Sequence, residues 1–263
     1  MIRSALMNVM TAAAIKAGRG LKRDFGEVEN LQVSVKGPGD FVSAADMRAE
    51  KTIFEELSKA RPGYGFLMEE RGEVEGADKS HRWLVDPLDG TTNFLHGLPF
   101  FAVSIGLERE GQLVAGVVYN PATDDMYVAE KGQGAWHNNR RLRVSARREL
   151  ADSLIGTGVA PLGKSQQHPR FKAELSNVLA RVANVRRFGA VSIDLALVAA
   201  GKLDAFWERG LNAWDVAAGI VLIREAGGYI NDCDGGDTML NSGSICAGNE
   251  QIQRQILPLL RPA

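Results

Sequence analysis

The stretch Trp83-Leu-Val-Asp86-Pro-Leu-Asp89-Gly-Thr-Thr-Asn-Phe94 is the part of the chain best equipped for chemistry. A short apolar run leads into Asp86, Pro87 fixes the backbone where the chain turns, and Asp89 follows three residues on. Across a tight turn the two carboxylates can converge on one point, and the carbonyl of Leu88 can point there too. Gly90 lets backbone come close to a ligand. Thr91 offers a hydroxyl, and the amides beyond Gly90 can open a helical turn that attracts an anion. Oxygen donors without His or Cys suit a hard cation, magnesium ahead of manganese or calcium. Without a cation the adjacent carboxylates repel and one pKa rises. The alternative is a loop whose Asp side chains bond to local backbone, a common use of Asp in turns.

Two more acidic positions gain meaning only in combination. Glu69-Glu70 follows the apolar run 65–68, where an acidic pair is ordinarily solvated surface. Asp215 follows Trp214 at the start of a helical stretch, where complementing the helix dipole is reason enough for an Asp.

The elements that must position these residues can be read from periodicity. Leu6, Val9, Met10, Ala13, Ala14, Ala17 and Leu21, with Ile2, recur at helical spacing, which predicts an amphipathic helix rather than a targeting segment. Lys36-Gly-Pro-Gly-Asp40 marks a turn, and a second helix is expected over 43–60, stopped by Arg61-Pro-Gly63. Strands are expected at 65–68, 83–85, 102–108, 113–119 and 126–130, the third and fourth joined as a hairpin around Glu110-Gly111. Further on, helices are expected at 171–182, 192–200, 213–226 and 250–260, with strands at 204–207 and 245–247. This order predicts a mixed α/β (α+β) chain of layered sheets with helices between and outside them. A soft boundary near residue 145 gives two halves, 1–145 and 146–263, that share one cleft rather than two independent domains.

The 263 residues are 45% hydrophobic and 24% charged, with a formal net charge of -1, so no global field draws the chain to nucleic acid or an anionic membrane. No stretch approaches the ~20 apolar residues of a membrane span. Cys233 and Cys246 form no CxxC pair, and His81, His96, His137 and His168 stand at no metal-ligand spacing, which argues against a zinc site. The expected setting is the cytoplasm. Arg140, Arg141, Arg143, Arg147 and Arg148 form a basic run; it reads as a solvated loop, with an RNA or protein contact as the alternative.

Glu69-Glu70, Asp86-Pro-Leu-Asp89-Gly-Thr-Thr-Asn-Phe94 and Trp214-Asp215-Val-Ala-Ala-Gly219, together with Asp40-Phe-Val-Ser-Ala-Ala-Asp46, resemble the inositol monophosphatase family in order and spacing. Trp207-Glu-Arg-Gly-Leu-Asn-Ala-Trp-Asp215 is most similar to bacterial members. The resemblance implies a layered α-β-α-β-α sandwich of the sugar phosphatase type and magnesium-dependent hydrolysis of a small-molecule phosphate ester such as inositol monophosphate. It implies Glu69, Asp86, Asp89 and Asp215 as side-chain metal ligands, with the Leu88 carbonyl, and Asp86 bridging two ions. Thr91 and Asp46 would orient the attacking water near Glu69, and the amides of Gly90 and Thr91 would hold phosphate. Glu208, Asp215 and the 189–191 stretch would meet the polyol, with Arg186 at the rim. Lys36 matches a residue that reaches toward the metal's water. The family also implies a homodimer and lithium sensitivity. Met68 stands where the family usually has Gly, and Asn212 where animal members tend to carry His. Related phosphatases for fructose bisphosphate, adenosine bisphosphate or histidinol phosphate remain alternatives, as does a regulatory protein on the same fold that binds RNA or protein.

Overall fold

The computed structural model describes residues 4–27, 33–37 and 40–261. Ile2 and the side chain of Lys36 lie outside what it describes. Helix α1 (Ala5–Phe25) starts at Ser4, whose hydroxyl accepts from Met7 N, and buries Met10, Ala13, Ala14, Ala17 and Leu21 on one face. The ribbon β1 (Val33–Gly37) and β2 (Asp40–Ser43) leads into α2 (Ala44–Ala60), which opens with a reciprocal capping box between Ser43 and Asp46. The two helices pack on each other and on the first large sheet.

That sheet is built from β3 (Tyr64–Met68), β4 (Gly72–Val74), β5 (Asp78–Asp89), β6 (Ala102–Arg109), β7 (Gln112–Asn120), β8 (Asp125–Glu130), β9 (Gly134–His137) and β10 (Arg140–Arg141), with the short helix α3 (Thr91–Leu95) between β5 and β6. Its spatial order is β10-β9-β8-β7-β6-β5-β3-β4, and only the β3–β5 pair is parallel. The expected hairpin is present: Arg109 faces Gln112, and Glu110 and Gly111 both have positive φ (52° and 75°), the backbone of a two-residue turn that matches strand twist.

A second sheet, ordered β12-β11-β13-β15-β14, comprises β11 (Leu154–Thr157), β12 (Asn184–Arg186), β13 (Ala205–Arg209), β14 (Tyr229–Asn231) and β15 (Ser244–Gly248). Helices α5 (Val191–Ala199) and α6 (Ala213–Glu225) lie between the sheets: α6 packs on β5 to β9 and on α5, while α5 also touches β13 and β15. Helix α6 is buried on nearly every side from Val216 to Ile223, as a middle layer must be. Close approach is possible because Gly116 has no side chain; a Cβ there would stand 2.6 Å from the Ala218 carbonyl oxygen. The outer layer holds α4 (His168–Leu179) and α8 (Glu250–Ile256), whose apolar residues close a cluster around Ile155, Trp207 and Cys246. Short α7 (Met239–Ser242) precedes β15. The layered α-β-α-β-α order expected from the sequence is therefore present.

Local differences have simple causes. Helix α4 begins three residues early, with Pro169 in its first turn, where a missing N–H costs nothing. Helix α8 tightens into a 3₁₀ turn over Leu257–Leu260, where Pro258 ends α-helical bonding. Strand β5 is far longer than the expected 83–85, because its polar early residues sit at a half-exposed edge of the apolar pattern and pair across to β6, as Arg82 does with Glu108.

Candidate active site

The acidic pair in β5 is oriented by an irregularity in the ladder. Asp86 faces Ser104 and Asp89 faces Ala102, so three steps along β5 match two along β6. In a regular strand residues three apart point to opposite faces; one extra residue restores them to the same side. Pro87 occupies this bulge, one of the few places a central strand tolerates it. Leu88 leaves the ladder altogether: its N–H donates to Asp86 Oδ1 (3.0 Å), and its carbonyl accepts from Thr91 Oγ1 (3.0 Å).

Glu69 arrives from the neighbouring strand. Parallel pairing sets Met68 beside Val85, and Glu69 N donates to the Val85 carbonyl (3.2 Å), so the ends of β3 and β5 deliver Glu69 and Asp86 together. Asp215 comes from the third residue of α6, where its Oδ2 accepts from Asn212 N (2.7 Å). Asp89 reaches the start of α5, accepting from Val191 N (3.2 Å), Ser192 N (2.7 Å) and Ser192 Oγ (2.5 Å), at the positive end of the helix dipole.

These carboxylates feel one another. Burial pushes Asp86 well above the usual range, reinforced by the charges of Glu69, Asp89 and Asp215 and by a hydrogen bond with Glu69. Burial also raises Asp215 to about 8, opposed by the Asn212 N–H and helped by Asp89 and Glu69. Asp89 is pushed up to about 6 by burial, against the Ser192 and Val191 donors. A dense set of hard oxygens whose charges penalise one another is what a divalent cation relieves. Among the described residues no group of three is already arranged around one ion; Asp86 and Asp215 each accept a backbone N–H on one oxygen, and Asp89 accepts on both. The donor chemistry nevertheless fits magnesium.

Thr91 heads α3 immediately after Gly90, which adopts a left-handed conformation (φ 87°) and abuts the Phe100 carbonyl too closely for any side chain. Thr91 Oγ1 lies 3.1 Å from Asp46 Oδ1 and 3.0 Å from the Leu88 carbonyl. Asp46 is fully buried, and burial raises its pKa despite donors from Ser43 and Thr91. Asn93 Nδ2 donates to the carbonyls of Phe100 (2.7 Å) and Phe188 (2.8 Å), tying α3 to the segment that carries Gly189 and Ala190.

Glu208 comes from β13. Burial pushes it up to about 8, reinforced by Asp215 and Asp89 and opposed by Arg187. Its carboxylate rests against Gly158, where a Cβ would overlap it. Arg186 is exposed, donating to Asn184 Oδ1 (2.6 Å) and the Val185 carbonyl (3.0 Å); the neighbouring Arg187 is the arginine whose charge reaches the acidic cluster. Asn212 is exposed and caps α6. Met68 is buried in the main core, so its side chain is directed away from the site. The sequence did not single out Ser192, Arg187 or Asp194, the last buried in α5 with Oδ1 lacking a hydrogen-bond partner and its pKa raised well above the usual by burial, Glu208 and Asp89. Only the position of Ser192 at a helix start carried a local signal.

The other residues noted in the sequence fall elsewhere. His81 and His137 pair with Asp78 and Asp125, and His168 with the Ala160 carbonyl. Cys233 and Cys246 are buried thiols, both raised by burial. The arginines of 140–148 are exposed, and Arg147 pairs with buried Asp204.

The model of the inositol monophosphatase family matches residues 3–263. This chain belongs to that family. It is 65% identical to an inositol-1-monophosphatase of Mesorhizobium japonicum, over 99% of this chain and 98% of the relative. Identity to an inositol-1-monophosphatase of Rhizobium meliloti is 58%, with the same coverage. Among solved structures, the extragenic suppressor protein suhB of Bartonella henselae is similar at a TM-score of 0.96 and 57% identity, covering 99% of this chain and 100% of that one. In this inositol monophosphatase family member Asp86 and Asp215 feel the charges of Glu69 and Asp89, and Glu208 those of Asp215 and Asp89.

Proposed function

We propose that the chain is a magnesium-dependent phosphoric monoester hydrolase that releases phosphate from inositol monophosphate or a similar polyol phosphate. The observation that carries this reading is the convergence of Glu69, Asp86, Asp89 and Asp215, drawn from two strands and a helix, with pKa values of the three Asp raised by burial and, for Asp86 and Asp215, by their neighbours' charges. The names of the similar proteins from Mesorhizobium and Rhizobium point to the same substrate class.

Glu69, Asp86, Asp89 and Asp215, with the Leu88 carbonyl, would hold the metal. Bound magnesium supplies positive charge that lowers the pKa of water and screens the phosphate dianion. The remaining steps belong to the protein. The N–H groups of Gly90 and Thr91, at the start of α3, would hold the phosphate oxygens. Thr91 Oγ1 donates toward Asp46 or the Leu88 carbonyl, which leaves its lone pairs to accept from the attacking water and aim it at phosphorus. Asp46 fixes that hydroxyl through the second of its oxygens, the first being held by Ser43. Glu208, titrating near pH 8, can donate to a polyol hydroxyl when protonated and accept from one when ionised. Attack and departure occur on opposite faces of the phosphoryl group, and no covalent phosphoenzyme is needed.

Phosphate release from inositol monophosphate, fructose bisphosphate, histidinol phosphate and adenosine bisphosphate at equal concentration, with and without magnesium, tests the reading. Magnesium-dependent release with preference for the inositol ester supports it; release from none of them refutes it. Lithium titrated at fixed magnesium should inhibit, and sedimentation should give a homodimer. Among the described residues no helix is long and apolar enough to cross a membrane; the proposed setting is the cytoplasm.

A further inference from the structure

Helix α2 presents a stripe of three side chains toward the site at intervals of four residues: Asp46, Glu50 and Phe54. Asp46 takes the Thr91 hydroxyl (3.1 Å). One turn on, Glu50 is 2% exposed, and its Oε2 accepts from the backbone N–H groups of Glu70 (2.8 Å) and Arg71 (3.3 Å). A further turn along, the Phe54 ring lies under the Arg71 guanidinium, 4.4 Å from centroid to carbon. Residues spaced by four share a helix face, so α2 grips both the Thr91 segment and the Glu69-Glu70-Arg71 turn with one surface.

We infer that Glu50 is the positioning residue for Glu69. The turn is short: Met68 pairs with Gly72 across β3 and β4, and Gly72 adopts φ 78°. Glu69 N is held on one side by the Val85 carbonyl (3.2 Å). On the other side the next two N–H groups would have no strand partner, and Glu50 supplies one oxygen to both. Glu50 is buried, and the polar groups that meet its Oε2 are the two backbone N–H groups of this turn. A surface or packing role does not need an acceptor oxygen at such a position; a role in fixing backbone does. The acceptor oxygen, rather than the charge, carries the function. This inference rests on the proposed role of Glu69 in holding the metal.

Three variants separate acceptor from charge. Glu50→Gln keeps a carbonyl oxygen at the same reach, Glu50→Asp keeps the charge but withdraws it by one methylene, and Glu50→Ala keeps neither. The readouts are Mn2+ binding, followed by the loss of the free-ion paramagnetic resonance signal, and kcat and KM for inositol monophosphate. Glu50→Asp and Glu50→Ala are expected to weaken Mn2+ binding by about 10-fold or more and to lower kcat on the order of 100-fold with little change in KM, as for a misplaced catalytic group. Glu50→Gln is expected to recover both to within about 5-fold of the parent, the margin of a retained acceptor. Recovery by Asp instead of Gln, or wild-type Mn2+ binding and kcat in all three, overturns the inference. If Glu50→Ala does not fold, the Gln and Asp pair decides alone. If the parent releases no phosphate, the functional reading fails, while the Mn2+ arm still judges whether Glu50 positions Glu69.

Discussion

Replacing Asp215 by Asn should make the metal-free protein more stable while destroying its activity. The Asp215 carboxyl, ordinarily at 3.8, is pushed up to about 8 in the fold. A carboxyl that binds its proton more tightly folded than unfolded costs stability as pH rises from the lower value to the higher. At pH 7 the difference spans roughly three units, an upper figure of about 4 kcal/mol at ~1.4 kcal/mol per unit. The side chain is partly exposed, so solvent screening reduces the gain to about 2 kcal/mol. Asn keeps an oxygen for the Asn212 N–H, so the helix cap survives. At pH 5 only about one unit separates the solution from the unfolded value, and the gain should shrink to below ~1 kcal/mol. Urea unfolding followed by circular dichroism in a chelator, at pH 5 and pH 7, measures both numbers. With magnesium the order should reverse, because a cation that binds only the folded parent adds stability by mass action. Turnover should fall by more than the ~100-fold typical when a ligand merely loses its supporting partner. The reasoning fails if metal-free Asp215→Asn is less stable than the parent at pH 7, or if its gain is the same at both pH values.

Thr91→Val keeps the shape of the side chain but removes the hydroxyl between Asp46 and the Leu88 carbonyl, so kcat should drop about 100-fold while the melting temperature stays within a few degrees in a thermal scan. Gly158→Ala would drive a methyl into the Glu208 carboxylate; KM for inositol monophosphate should rise about 10-fold, as for a lost hydrogen bond to a charged group, with a smaller effect on kcat in steady-state assays. Arg147→Ala leaves the buried Asp204 carboxylate with the Leu154 N–H but without its cation, and should cost about 2 kcal/mol in urea unfolding.

Where local pattern and tertiary role agree, the sequence was legible. Helix α1 wears its buried face as a 3.6-residue rhythm, α2 begins with a capping box, and the β6–β7 hairpin has its turn residues in place. Helix α5 lies in the middle layer, apolar on most sides, so periodicity marks no face for it. In strand β5 Pro87 reads locally as a stop, although in the fold it sits in a bulge that keeps the strand paired to Asp89. The acidic residues followed the same division. Asp86 and Asp89 lie in one legible segment. Glu50 carries no local signal, since nothing in the sequence distinguishes a surface Glu from one whose oxygen meets two distant N–H groups.

The bulge also explains why donor type and donor direction are separable in this chain. Residue types alone state that oxygens are available for a hard cation, and they would do so at any spacing. Direction depends on the ladder: a separation of three in a flat strand would send Asp86 to one face and Asp89 to the other. The extra residue brings both to one side and, in the same stroke, frees the Leu88 carbonyl to meet the Thr91 hydroxyl. A backbone irregularity of one residue therefore puts two carboxylates on a common side and leaves a carbonyl for Thr91. In the proposed site Glu69 joins the set through the parallel pairing of β3 with β5, and Asp215 through α6, which lies close against the sheet at Gly116.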